Sequence, residues 1–315
     1  MRPLAALALV AVSAASSALL VLLSYRTSQP LRSPVVGLYE YEPSQVQPGE
    51  FGIETTFINW SDPQLLTQLR SFLHQAQLRR RVPLLTLEPF PGTEPRASSN
   101  ALLSQVLSGR YDHVIDGIGR TLAAHRGVVL LRFAHEMDKP RQYPWAYADP
   151  DRYIRLYRYV FRRIAVERPS NLRWVWSPAG ESNAHHYWPG GAYVDLIGVS
   201  IYASRAWSPN GSLESFVQQL DRKRWLGQRF ARPLLIAEAG VSGSADDQQR
   251  WIREALAALP RYPDVCGFIY FQAPQPRWMP LPTGHEDWAL SPPALRWLKQ
   301  ALPLAPRHGS SCVEV

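Results

Sequence analysis

Two short apolar runs in this chain each stop on a glutamate: Val128-Val-Leu-Leu-Arg-Phe-Ala-His-Glu136 and Pro233-Leu-Leu-Ile-Ala-Glu238. A run of aliphatic and β-branched residues that ends on a carboxylate reads as a buried parallel strand whose C-terminal end delivers an acid to the mouth of a sheet or barrel. That end is where α/β enzymes keep their chemistry. Two carboxylates across one mouth suit glycosidic-bond cleavage, in which a carboxylic acid protonates the leaving oxygen and a carboxylate either attacks the anomeric carbon or activates water. A separation of about 5 to 5.5 Å serves the retaining route and about 6.5 to 9.5 Å the inverting one.

Other chemistries lack their residues. His135-Glu136-Met137-Asp138-Lys139 has a lysine where a zinc-protease helix needs its second histidine. Gly240-Val241-Ser242-Gly243 lacks the spacing of a nucleophile elbow. Gly117 and Gly119 lie inside a helical pattern with no strand before them, which argues against a dinucleotide loop. His185 and His186 have no partner at ligand spacing, and the two cysteines form no metal motif. No metal and no cofactor are therefore expected.

The two glutamates stand roughly a hundred residues apart. At about 30 residues per βα unit of an eight-fold barrel, that spacing puts them about three strands apart. Strands are expected at Val35–Tyr39, Phe51–Phe57, Val82–Glu88, Val128–Glu136, Leu172–Ser177, Val194–Tyr202, Leu234–Glu238 and Val265–Phe271, with the glutamates on the fourth and seventh. Helical spacing follows Ser61-Asp62-Pro63 through Leu65, Leu66, Leu69, Phe72 and Leu73. It recurs over about 111–125, 151–167, 212–230, 246–259 and 293–302. Segments 40–50 and 178–193 are too short or too proline-rich for full helices, so the first and fifth helices should be degenerate. Strand and helix in alternation predict a single α/β domain, a (β/α)8 TIM barrel over residues 35–303.

A chain of 315 residues with 46% hydrophobic content can build one such core. The net charge of +8 is diffuse. Its densest run, Arg152, Arg155, Arg158, Arg162, Arg163 and Arg168, shares a helix with Ile154, Leu156, Val160, Phe161 and Ile164, the pattern of a barrel helix with a solvated outer face. No nucleic-acid partner is expected. Leu4 to Leu23 carries no charge and follows Arg2, so residues 1–24 read as a signal peptide or an uncleaved membrane anchor, 25–34 as a linker and 304–315 as a tail. The protein should be exported and either secreted, periplasmic or tethered facing outward, and a monomer is expected. In an oxidising compartment Cys266, on the barrel floor, and Cys312, in the tail, either pair or remain as a buried thiol and a loose one.

Arg132-Phe-Ala-His-Glu-Met137 resembles the arginine, two residues, His-Glu-Met motif of glycoside hydrolase family 26, the β-mannanase family of the large retaining clan. Trp174-Val-Trp-Ser-Pro178 is similar to the family's fifth-strand motif, and Trp188-Pro-Gly-Gly-Ala-Tyr-Val-Asp-Leu-Ile-Gly198 to its Tyr-Val-Asp segment. Tyr202 ends strand six as the clan's tyrosine does, and Pro233 to Gly240 resembles the nucleophile strand. The resemblance implies a retaining β-glycoside hydrolase acting on β-mannan or a related β-glucan or β-xylan. It implies Glu136 as general acid/base, Glu238 as nucleophile, and Arg132, His135 and Tyr202 as their supports. The acid must keep its proton, so Glu136 should carry a raised pKa while donors such as Tyr202 keep Glu238 charged. Arg132 should point inward beneath the pair, and His135 should orient the acid or touch the sugar. The sequence departs from the family at Asp138-Lys139-Pro140-Arg141 and at Ala239, positions that shape the subsites.

A polysaccharide cleft also needs aromatic platforms for pyranose faces. Trp60, Trp145, Trp176, Trp207 and Trp278 lie near strand ends, with Glu88 as a polar partner at the end of strand three; Trp174 is expected in the core. The rival reading is a non-catalytic barrel that binds polysaccharide during synthesis or export.

Overall fold

Strand β3 (Val82–Glu88) is buried along all but its first residue, and β4 (Val129–Phe133) along its whole length. Only a strand covered on both faces can afford such composition. The computed structural model, which describes residues 34–40, 51–91, 99–140, 142–167, 169–276, 286–301 and 312, supplies the cover. Strands β1 (Val35–Glu40), β2 (Ile53–Asn59), β3, β4, β5 (Leu172–Trp176), β6 (Leu196–Ser204), β7 (Leu234–Ser242) and β8 (Val265–Gln272) pair in parallel in sequence order, and β8 returns to β1. The sheet is a closed (β/α)8 barrel, as the alternation predicts.

Helices α1 (Leu65–Leu78), α2 (Ser99–Leu107), α3 (Asp112–Ala123), α4 (Pro150–Ala165), α5 (Phe216–Lys223), α6 (Trp225–Phe230), α7 (Ala245–Ala258) and α8 (Pro292–Ala301) accompany the strands among the described residues. Helix α4 starts where local chemistry demands: Asp149 accepts the Arg152 N–H, and Pro150 occupies the first turn. Ser215 and Ser244 cap α5 and α7 in the same way. The single helix expected over 212–230 is two helices, and Ala231 closes the second at φ 50°. Helix α2 has no counterpart among the sequence expectations, although Leu102, Leu103 and Val106 give it a buried face. Segment 178–193 holds only short 3-10 turns, as expected. The expected degenerate first helix and the N-terminal segment 1–33 lie outside the described residues.

The arginines of α4 are tied into the fold. Arg163 pairs with Asp112 and Asp116 of α3 at 2.6 and 2.7 Å, Arg158 donates to the Pro189 carbonyl and Arg162 to the Tyr193 hydroxyl. These bonds give the basic run a structural role.

Inside the barrel, the inward residues form layers. The floor is apolar and contains Ile53, Leu84, Leu130, Val175, Leu235 and Ile269. Cys266 joins that layer and forms a disulfide with Cys312, which brings the residue from the tail beneath the barrel. Above the floor the lumen turns polar, with Thr86, Arg132, Ser177 and Ser200 all buried. The bridge closes a loop of 46 residues, so Cys312→Ser is expected to cost about 2–4 kcal/mol. Urea denaturation of the variant beside the oxidised and reduced wild type checks this.

Candidate active site

Strand parity aims the first acid and misses the other two. On β3, Leu84 lies in the lumen, so Thr86 and Glu88 two and four residues later share its face. On β4, Leu130 and Arg132 face inward, but the chain then leaves the strand. Ala134 and Glu136 take left-handed conformations, φ 47° and 51°. This turn is pinned by the Ala134 N–H on the Leu87 carbonyl, the Tyr153 hydroxyl on the Ala134 carbonyl and the Glu136 N–H on the Ser177 carbonyl. On β7, Leu235 and Ala237 pack in the lumen, and strict alternation would turn Glu238 outward. A register shift intervenes: Val199 pairs with Ile236, yet the next residue, Ser200, pairs with Glu238. The extra residue is a β-bulge, which re-aims a side chain, and it swings Glu238 into the mouth.

Glu88, Glu136 and Glu238 therefore line one cleft of about 670 Å3. Glu238 is fixed at both oxygens. The wholly buried Arg132 guanidinium pairs with Oε1, and the Tyr202 hydroxyl donates to Oε2 at 2.6 Å. The Tyr202 ring has room because residue 240 is glycine: a Cβ there would stand 2.7 Å from it. Glu136 accepts from the Gln142 amide. Behind it, the Lys223 ammonium donates to the Ser200 carbonyl.

The electrostatics differ from expectation at Glu136. Burial alone would raise its pKa, but Lys139, Arg132, the Ser200 hydroxyl and Lys223 outweigh burial and hold it below the usual range. The raised carboxyl is Glu88, pushed up to about 8 by burial and by the charge of Glu238, against the pull of Arg132. Lys139, one of the departures from the family pattern, is thus part of what lowers Glu136. Asp138, another, accepts the backbone N–H groups of Ala179, Gly180 and Glu181 at 2.7 to 2.9 Å and ties the loop after β4 to the loop after β5.

His135 is fully buried, so it does not reach a sugar. Its Nε2 bonds the Tyr143 hydroxyl at 2.8 Å, and Tyr143 lines the cleft. Burial and the nearby charges of Arg132 and Lys139 push its pKa well down, leaving it neutral.

Of the five tryptophans expected as platforms, Trp207 lines the cleft, 42% exposed, edge-on to Trp288. Three belong to the core. Trp60 falls on the outward face of β2 and its continuation, stacks on Tyr111 and donates to the Phe90 carbonyl. Trp176 is outward on β5 and packs against Trp188 and Phe230. Trp145 lies behind Tyr143, stacked on it at 4.6 Å, and bonds the His135 carbonyl. Trp278 lies outside the described residues. The apolar wall is instead Tyr39, Phe57, Phe271 and Trp288. Period-2 counting on β1, β2 and β8 puts the first three on the inward face and could have found them; Trp288 follows no strand and gave no such signal. No group of three or more His, Cys, Asp or Glu that could hold a metal occurs among the described residues.

Comparisons with known proteins bear on the family and the fold. The sequence profile of glycosyl hydrolase family 26 matches residues 97–239. Endoglucanase H of Acetivibrio thermocellus is 24% identical over 293 residues, which is 87% of this chain and 29% of that protein. The β-1,3-xylanase TXYA of a Vibrio species is 30% identical over 112 residues, 34% of this chain and 24% of that protein. The chain thus spans under a third of the length of either relative. Among solved structures, a β-mannanase from Bacteroides ovatus superposes with a TM-score of 0.67 at 16% identity, covering 90% of this chain and 93% of that one. At that identity the superposition establishes the shared fold.

Removing one partner of a buried ion pair leaves a charge uncompensated. Arg132→Met is therefore expected to lose about 3–5 kcal/mol of stability. The double variant Arg132→Met/Glu238→Leu recovers part of that loss, and urea denaturation of the four proteins in the cycle reads the coupling.

Proposed function

We propose that the chain is a β-glycoside hydrolase of glycosyl hydrolase family 26, whose profile matches residues 97–239, and that it works by retaining double displacement. The observation that carries the reading is Glu238, fixed at both oxygens by Arg132 and Tyr202, in one cleft with Glu136. In the first step a Glu238 oxygen attacks the anomeric carbon, the glycosidic C–O bond breaks, and the Glu136 proton passes to the leaving oxygen. The Glu238 charge is consumed in the ester. In the second step Glu136 takes a proton from water, the hydroxide oxygen bonds to the anomeric carbon, and Glu238 leaves as carboxylate. Arg132 and Tyr202 then stabilise the charge that returns.

The cleft's aromatic wall and exposed Trp207 suit pyranose rings. Relatives named endoglucanase, β-1,3-xylanase and mannan endo-1,4-β-mannosidase support β-linked polysaccharide as the substrate class. Export is part of the proposal: the Cys266–Cys312 bridge fits an oxidising compartment, and the uncharged stretch from Leu4 to Leu23 supplies a leader or tether. No helix among the described residues is long and apolar enough to cross a membrane.

Hydrolysis of lichenan, β-1,3-xylan and β-1,4-mannan by the full chain is the test. Glu136→Ala and Glu238→Ala are each expected to lose at least about a thousandfold in kcat, and proton NMR of the first product should show the β-anomer. Undiminished turnover in both variants would remove the assignment, while an α-anomer would make the enzyme inverting.

A second expectation concerns pH. Because cations hold Glu136 low, its protonated fraction falls early as pH rises, and the kcat/KM profile should be shifted toward acid. Lys139→Met removes a positive neighbour, so the carboxylate is less favoured, the pKa rises and the alkaline limb moves upward by up to about one pH unit. Measuring kcat/KM from pH 4 to 9 for both proteins checks the direction.

A further inference from the structure

Three acids share the cleft, and two have partners. Glu238 has Arg132 and Tyr202; Glu136 has Gln142 and the nearby cations Lys139 and Lys223. Glu88 is 7% exposed and opens onto the same space, yet among the described residues its carboxyl has no hydrogen-bond or ion-pair partner. Its backbone carbonyl is engaged by the Trp60 and Phe90 N–H groups, which hold the residue in place. From β2 it faces Phe57 and Asn59, which do not titrate. The charged or titratable groups around it are Arg132 on β4, Tyr143 on the loop after β4, Glu238 on β7 and Glu136 across the cleft.

A buried carboxylate with no donor is costly, and a second negative charge nearby makes it costlier. The Arg132 guanidinium is bonded to Glu238, and its longer-range pull on Glu88 does not offset burial and the Glu238 charge. Glu88 therefore holds a proton, in line with its raised pKa. A carboxylic acid offers one O–H donor and retains acceptor capacity, and no group among the described residues takes this one.

We infer that Glu88 stands in the cleft as a neutral carboxylic acid and holds a pyranose hydroxyl of the substrate by donating its proton in a hydrogen bond. The sugar in this inference rests on the proposed function; the protonation does not. A site that hydrogen-bonds a substrate hydroxyl discriminates strongly against sugars lacking it, because its own polar group would then be left unpaired.

Two measurements test the two halves separately. In full-length protein labelled with 13C at the glutamate side-chain carboxyls, one resonance should titrate with a midpoint about pH 8 and be absent from Glu88→Gln. A midpoint in the ordinary carboxylate range overturns the neutral acid. For the contact, calorimetry of β-1,4-mannotetraose, β-1,3-xylotetraose and a mixed-linkage β-glucan tetrasaccharide uses Glu136→Gln protein, which arrests turnover and removes that titration. The best-bound sugar should keep a constant Kd up to about pH 7.5 and weaken about tenfold per unit well above the Glu88 midpoint, as loss of one required proton dictates. Adding Glu88→Gln, whose amide still donates, should make Kd independent of pH, and adding Glu88→Leu should weaken binding at least tenfold throughout. A pH dependence that survives Glu88→Gln overturns the contact. Failure of all three sugars to bind overturns the glycan reading and the contact with it, while the labelled resonance still decides where the proton sits.

Discussion

The wholly buried guanidinium of Arg132 is the constraint on which the mouth of this barrel depends. It is the charge that answers Glu238 directly, and it acts at longer range on Glu136 and Glu88. Burying a guanidinium is expensive unless it is paired, and the lumen is built to meet that demand. An apolar floor lies below it, Ser200 accepts its second nitrogen at 3.5 Å, and the β7 bulge presents a carboxylate to the first. With the arginine committed, the other two acids must find separate solutions. Glu136 is balanced by lysines arriving from the loop after β4 and from α5, and Glu88 by keeping its proton. Three acids in one pocket thereby differ in state without any difference in residue type.

Under the proposed double displacement, this division bears on how the site would turn over. An acid/base residue must be protonated in one half of a double displacement and ionised in the other. Lys139 and Lys223 favour the ionised half, which assists attack by water and penalises the first protonation near neutrality. The penalty traces to the loop: where the family pattern has other residues, this chain has Asp138 and Lys139, and Asp138 ties that loop to the one after β5. Lys139 of that loop lines the cleft and adds to the positive charge around the acid.

Much of this was legible in the sequence because strand burial is a strong signal. Apolar runs located all eight strands to within four residues at either end, and the glutamate-ended runs do sit on the fourth and seventh, or just beyond. What a period of two cannot reveal is a departure from that period. Glu238 faces inward only because a bulge inserts one residue, and Glu136 only because Ala134 and Glu136 turn left-handed. Both were found by residue type rather than by facing. The same counting, applied strictly, would have rejected Trp60 and Trp176 as platforms, since Ile53 and Val175 set the inward parity of their strands and both tryptophans fall on the other face. For aromatic residues parity is therefore a stronger guide than nearness to a strand end. Charge states were the least legible, since they depend on which cation reaches which acid across elements far apart in sequence.

The bulge on β7 links these strands of argument. Without it, Glu238 would pack outward among the helices, Arg132 would be left buried without its carboxylate, and Glu88 would lose the negative neighbour that helps keep it protonated. One inserted residue therefore fixes the facing of the nucleophile candidate, the pairing of the lumen arginine and the protonation of a third acid. Gly240 completes the arrangement two residues later. It gives the Tyr202 ring the space to reach Glu238 from the side opposite Arg132, so the carboxylate is held between a charge and a neutral donor. A carboxylate held that way keeps its orientation when its own charge is consumed, because the tyrosine contact does not depend on that charge as strongly as the ion pair does.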